Sequence, residues 1–278
     1  MTGLKKNDKL EKALSQSVAK SNELFLESRY SLSLREQRAL DYAISKIQKD
    51  DTPDKIYRVD AREAFSIVTA SEGPMGGNDY KVAYQAFASL LCLPVEINLR
   101  ERFYVTCNWF HHVAFDRKTG TLEFQFNDML APHLFNQRKN YVLYDLKFPY
   151  EARCVYGPRL YSMLMARSKG KTPTVSIPID VFKNDIGVSV EAVKNERGIY
   201  EINSKICYDQ YGKLKERVID PAVQDINEWT HIFVEYEAIK TGRKVTGIKF
   251  TINASTEDYY LRVFQRLDKE RHPELDQD

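Results

Sequence analysis

LKERVIDPAVQDINEWTHIFVEYEAIKTGRKVTGIKFTI, residues 214–252, holds two periods in succession. Leu214, Val218, Ile219, Ala222 and Val223 recur at the three- and four-residue spacing that fills one side of a helix at about 100° per residue. From Glu235 the chain alternates instead, pauses at Lys240, Thr241, Gly242, Arg243 and Lys244, and alternates again to Ile252, which predicts two strands joined by a tip. The helix is placed over residues 211–227, from Tyr211 onward. Pro221 within it predicts a kink, because its ring removes one backbone donor. Away from the apolar side stand Lys213, Arg217, Asp220 and Gln224. The helical angle puts Lys215 in the apolar sector, where it must lie in a frayed first turn or snorkel.

The same order occurs about a hundred residues earlier. AFDRKTGTLEFQF, residues 114–126, is a hairpin with Arg117, Lys118, Thr119 and Gly120 at its tip. Upstream lies YKVAYQAFASLL (80–91), whose Val82, Ala86, Phe87, Leu90 and Leu91 match the later apolar set when Tyr80 is laid on Tyr211. Lys81, Gln85 and Ser89 take the opposite side. Between helix and tip, PVEINL and RFYVTCNWFHHVAF alternate as strands do. Each unit opens with a short strand and an Asp-led helix: IYRV (56–59), then Asp60 with Glu63 opening AREAFSIV, and TVSIPI before DVFKNDIG (180–187). Residues 56–126 and 174–252 therefore repeat an order of elements without close identity.

The rest of the chain frames these units. Residues 1–20 are polar and read as a flexible, frayed or loosely helical arm. Ser33 with Glu36 has the spacing of a capping box ahead of Leu34, Leu40, Ala43, Ile44 and Ile47. DDTPD (50–54) ends that helix, SEGPMGGND (71–79) is the strongest breaker of the first half, and Asn127 caps NDMLAPHLF. The extended aromatic run YDLKFPY marks the boundary between a first domain, 21–146, and a second, 147–255, and RLYSMLMARSK (159–169) is helical. Residues 188–210 read as a lengthened connection. The tail 256–278 is acidic.

Two helices followed by a two-stranded hairpin make a winged helix, so the expected fold class is α+β with two tandem winged-helix domains. The second helix of such a unit fits the major groove, about 12 Å wide. Cations on the wing release counterions from phosphate and hold that helix in register. A cationic turn on a lone hairpin is commonly no more than a device to keep a sheet edge soluble. Its recurrence, each time after a helix with outward cations, favours duplex DNA as partner. Gln85 can pair with adenine and Arg217 with guanine. Net charge of +2 decides nothing here, because placement rather than total carries such binding.

Other functions find little support in the residues. A hydrophobic fraction of 43% with 29% charged residues is that of a folded globular chain, long enough for two cores. No apolar run of membrane-spanning length exists, and MTGLKKNDKLEKAL has no signal-like core, so a cytoplasmic location is expected. Cys92, Cys107, Cys154 and Cys207 form no metal-ligand spacing and read as reduced, mostly buried thiols. A rolling-circle nicking enzyme would need a tyrosine and a His-x-His pair. His111 and His112 are adjacent and on a strand point to opposite faces, and Tyr259 and Tyr260 are two among seventeen tyrosines. Asp128 and Glu123 read as a helix start and a solvated strand face. No phosphate-binding GxxxxGK[ST] loop occurs, so neither enzymatic activity nor a cofactor is expected. A transcriptional repressor with the same two domains stays open, since repression needs only site-specific binding.

SNELFLESRYSLSLREQRALDYAISKI (21–47), PRLYSMLMARSK (158–169) and residues 214–252, with Pro221, Ile226-Asn227 and the Gly-Arg-Lys wing, resemble the iteron-binding plasmid replication initiators, Rep proteins with two winged-helix domains. The resemblance covers about residues 18–253; the connection at 188–210 and the tail after Ser255 depart from it. It implies monomers that grip directly repeated origin sites with both domains, help open an AT-rich segment and assist helicase loading with the host initiator. It also implies homodimers, joined through the first domain, that repress their own gene and limit copy number, with chaperones as further partners. By the same analogy Tyr211, Lys213, Lys215, Arg217, Gln224, Lys240, Arg243 and Lys244 bind DNA in the second domain. Lys81, Gln85, Arg117 and Lys118 do so in the first.

Overall fold

The computed structural model of the protein describes residues 4–71, 79–99, 103–135, 140–169, 173–205 and 207–254. Most of the expected 71–79 loop, the acidic tail 256–278 and Tyr259 and Tyr260 lie outside them.

Helix α1 (Leu4–Leu14) and strand β1 (Ser17–Ser21) occupy the segment read as a flexible arm. Beyond its first turns that segment is held by packing. Ala13, Leu14 and Val18 are buried, and β1 pairs antiparallel with β7 (Tyr141–Asp145), Ala19 opposite Leu143. Lys20 is buried in an ion pair with Asp41, so a residue that reads as polar surface belongs to the interior.

The first unit is built from α2 (Leu34–Ile44), β2 (Tyr57–Asp60), α3 (Ala61–Thr69), α4 (Asp79–Ser89), β3 (Pro94–Leu99), β4 (Phe103–Asn108), β5 (Phe110–Asp116) and β6 (Thr121–Phe126). The Ser33 hydroxyl accepts from the Glu36 N–H while the Glu36 carboxylate accepts from the Ser33 N–H at 2.7 Å, completing the capping box. The Asp60 carboxylate caps α3 by accepting from Arg62 N–H at 2.7 Å. Strands β2, β6 and β5 form one sheet in that order, and Tyr57, Leu122, Phe124 and Phe126 turn inward against Phe87 of α4. The expected long strand at 102–115 is broken at Trp109, which is fully buried and whose N–H donates to the Leu90 carbonyl. The hairpin β3–β4, edged by Ser28 and Arg29, is thereby set apart from the wing β5–β6.

The second unit comprises α5 (Tyr156–Ser168), β8 (Thr174–Pro178), α6 (Ile179–Asp185), β9 (Val190–Lys194), β10 (Tyr200–Ser204), a helix α7 over residues 211–229, β11 (Ile232–Thr241) and β12 (Lys244–Ala254). Its main sheet has the order β11-β12-β8, so in both units the strand before the Asp-bearing helix pairs with the second strand of the wing. That common topology is the repeat seen in the sequence. Asp180 lies in the first turn of α6 but does not cap it; Pro178 holds the cap position. Within the connection read at 188–210, β9 and β10 pair as an antiparallel hairpin, with Ala192 opposite Ile202.

Buried arginines fasten the units together. Arg38 donates to the carbonyls of Pro149 at 2.9 Å and Ala152 at 2.8 Å. Arg159 donates to the carbonyls of Asp185 at 2.6 Å and Tyr30 at 3.0 Å, its guanidinium 4.0 Å from the Tyr30 ring centroid. A Cβ at Gly187, whose φ is +83°, would lie 2.7 Å from Arg159 Nη1, which favours glycine there on two counts. Helix α5 packs on α7, and also on residues 23–26 and β7.

Candidate nucleic-acid interface

In the second unit the angle between helix and wing is set by Asn227. Its amide donates to the Val234 carbonyl at 2.9 Å and accepts from the Val234 N–H at 2.6 Å, a clasp of the kind that joins two strands. Two residues earlier the buried Asp225 carboxylate accepts from the N–H groups of Arg153 and Cys154, both at 3.0 Å. Between Lys215 and Ile219 the helix widens into a π turn, which relieves the missing donor at Pro221 and realises the predicted kink as an extra residue in the winding.

That widening corrects the reading of Lys215. An undistorted helix would aim it inward. With one added residue Leu214, Val218 and Ile219 are buried, while Lys213, Lys215, Glu216 and Arg217 are all exposed, as is Gln224. Tyr211 is half-buried. The Lys215 ammonium is 2.8 Å from Asp220, which also accepts from the Tyr236 hydroxyl. Partial burial would raise the Asp220 carboxyl, but hydrogen bonds from Lys215 and Tyr236 outweigh it and hold the group below the usual range.

Strands β11 and β12 close at Gly242, φ +61°, leaving Lys240, Arg243 and Lys244 exposed at the tip. Among the described residues no carboxylate forms an ion pair with these three, nor with Lys213 or Arg217, whereas Lys249 lower on the wing is 2.7 Å from Glu237. Unpaired cations can exchange counterions for phosphate without first breaking an internal bond.

The first unit repeats this design with more aromatic surface. A groove of about 930 Å³ runs between the start of α4 and the wing, lined by Arg62, Tyr80, Lys81, Tyr84, Arg117 and Lys118. Tyr80 stacks on Phe115 of the wing at 5.6 Å and accepts from Arg62 at 3.3 Å. Gln85 is exposed one turn after Lys81. The wing tip is shaped by Asp116, whose carboxylate accepts from the Lys118 N–H at 2.8 Å and the Thr119 hydroxyl at 2.9 Å. Those bonds hold its carboxyl below the ordinary range, the Lys118 amide first. Arg62 and Tyr84 escape a reading by motif. They are ordinary members of helices, and only the antiparallel return of β6 beside β2 brings the wing tip to them.

The other candidates separate. His111 is exposed at a bulge and accepts from the Asp128 N–H at 3.3 Å, and His112 is half-buried opposite Gln125. Glu123 pairs with Arg58 at 2.6 Å. Among the described residues no three His, Cys, Asp or Glu side chains converge as a metal site, and no helix is long and apolar enough to cross a membrane. All four cysteines are free thiols. Contrary to the expectation of mostly buried thiols, Cys92 is exposed and the other three are half-buried, and burial pushes the Cys107 thiol up to about 11.

Two winged helices in tandem, each with an exposed cationic helix side next to a cationic wing, define a DNA-binding protein of the double winged-helix class. Comparison with known proteins agrees. A family model described as "Initiator Replication protein, WH1" matches residues 17–165, and a second, "Initiator Rep protein, WH2", matches residues 194–252. The chain belongs to the initiator replication protein family. Among solved structures, "Crystal structure of Pi initiator protein in complex with iteron DNA" is similar over 87% of this chain and 98% of that one, at 16% identity and a TM-score of 0.64, which supports the fold. The WH1 domain of MSBI1.176, a replication protein isolated from a multiple sclerosis patient, matches 37% of this chain and 79% of that one, at 19% identity; its TM-score of 0.28 carries no weight.

Proposed function

We propose that this protein initiates plasmid replication by binding directly repeated origin sites, iterons, as a monomer whose two units, 21–146 and 147–255, grip one repeat together. Lys213, Lys215, Arg217 and Gln224 then face the major groove with Tyr211 at the helix start, and Lys240, Arg243 and Lys244 rest on phosphates. Lys81, Gln85, Arg117 and Lys118 do the same in the first unit. The observation that carries this reading is the doubled pairing of an exposed cationic helix side with a cationic wing tip in a family of replication initiators. Origin opening, helicase loading with the host initiator, chaperones as further partners and repression of its own gene by dimers belong to the same proposal, as do a bacterial cytoplasmic setting and the lack of catalysis.

The decisive experiment selects duplexes from random sequence and compares two variants. Arg217→Ala should relax one position of the selected site and cost about 1–3 kcal/mol, whereas Lys244→Ala should weaken all duplexes alike and reduce the salt slope by about one. Equal, unselective losses from both would contradict the assignment. Relaxation of supercoiled origin DNA by the pure protein with Mg²⁺ would overturn the non-enzymatic reading.

A further inference from the structure

Helix α1 precedes the span matched by the family models, which begins at residue 17. It is nevertheless docked: Ala13 and Leu14 are buried, Leu10 is half-buried, and the helix packs on α3. This leaves Lys9 and Lys12, three residues apart and so on one side of the helix, exposed. Glu11 is turned by at least about 100° from either at helical spacing.

Lys9 and Lys12 line a second groove, about 530 Å³, between α1 and α3, together with Lys46, Arg62 and Glu63. Arg62 and Asp60 line this groove and the first unit's wing groove alike, so the two are separated only by the start of α3. The acids at the junction are already engaged. Glu63 accepts from Lys46 and from the Tyr42 hydroxyl, each at 2.8 Å, and Asp60 caps α3. Facing outward are three cations, Lys9, Lys12 and Arg62, against one exposed carboxylate, that of Asp60 beside Arg62.

We propose that Lys9 and Lys12 form a third contact with the DNA, binding phosphates of the same duplex just beyond the stretch held by α4 and the first wing. The proposal rests on the DNA-binding reading above. Its occupant follows from charge and from continuity with the wing groove through Arg62. A duplex leaving that groove past the start of α3 meets α1 next.

The test uses the full-length protein, Lys9→Ala/Lys12→Ala, and a duplex that the wild-type protein selects from random sequence. The duplex is made in a long form and in a form trimmed by about one helical turn at the first unit's end. Losing two phosphate contacts should lower the slope of log K against log salt by about 1.8, so the wild-type advantage over the variant should shrink roughly twelvefold between about 50 and 200 mM salt. Trimming should weaken the wild type and leave the variant unchanged. Both substitutions are at exposed positions, and matching thermal unfolding curves would show that the fold is kept. An unchanged slope with wild-type binding intact overturns this proposal alone and leaves an acidic protein surface as the ligand of that face. Failure of the wild type to bind any duplex overturns the DNA reading itself.

Discussion

Lys20→Met is the sharpest test of the packing. Lys20 on β1 is 1% exposed and Asp41 on α2 is 0% exposed. Besides the lysine ammonium, the Asp41 carboxylate accepts from Gln37 at 3.0 Å and from the Tyr144 hydroxyl at 3.1 Å. The ammonium also lies 5.7 Å from the ring centroids of Phe25 and Tyr144. Methionine keeps most of the volume and removes the charge, stranding an anion with two neutral donors. Breaking a buried pair from one side costs about 3–5 kcal/mol. With a urea dependence of about 2–3 kcal/mol per molar, the midpoint should fall by roughly 1–2 M. The two tryptophans sit in different units, so fluorescence of Trp109 in a Trp229→Phe background reports the first unit by itself. Lys20→Met/Asp41→Leu should recover part of the loss. Tyr144 and Gln37 then lack their acceptor, at about 1–3 kcal/mol each, so adding Tyr144→Phe should recover more. Because none of these side chains lines either groove, duplex affinity of the folded variant should be unchanged. A loss below about 1 kcal/mol for Lys20→Met would show that the arm is not anchored by this pair.

Three further outcomes are expected. Asp220→Asn removes an anion from the helix face and frees Lys215, so affinity for unrelated duplex should rise and the salt slope steepen by about 0.9, measured by fluorescence anisotropy; weaker non-specific binding would contradict the role given to the pair. Asp116, held low by the Lys118 amide and the Thr119 hydroxyl, should titrate below the ordinary aspartate value of 3.8 in an NMR carboxyl titration. Its folded-state value is depressed, so its support for the wing tip is complete above the ordinary range and is lost as pH falls through the depressed value; a midpoint at or above the ordinary value would refute it. Gly157→Ala places a Cβ 2.8 Å from the Asp225 Cβ, so it should cost about 1–3 kcal/mol by overpacking, read from Trp229 fluorescence, and an unchanged midpoint would argue against that close approach.

What could be read without coordinates was local in origin. The Ser33–Glu36 box, the Asp60 and Asn127 caps and the two wing tips each depend on residues within a few positions of one another, and all are present as read. The pairing β1–β7 joins residues more than a hundred positions apart, and nothing in the polar letters around Lys20 announces it. The hairpin β9–β10 was hidden for a related reason: among its strand residues only Val190 and Ile202 are buried, so its alternation is faint. Arg38 and Arg159, in stretches that carry the family resemblance, are buried fasteners between the units, a role that no local pattern around them signals.

By itself, then, the order of residues determined that the chain has two units of like design and which cations stand at their tips, because helix period, strand alternation and turn chemistry are written within a single element. Only the tertiary structure decided that Lys215 faces outward, that Arg62 and Tyr84 join the first wing, and that α1 lies beside them. Those placements depend on a π turn's extra residue, of which Pro221 announces the kink but not the rotation, and on strands returning from far along the chain, which leave no mark within a short window of sequence.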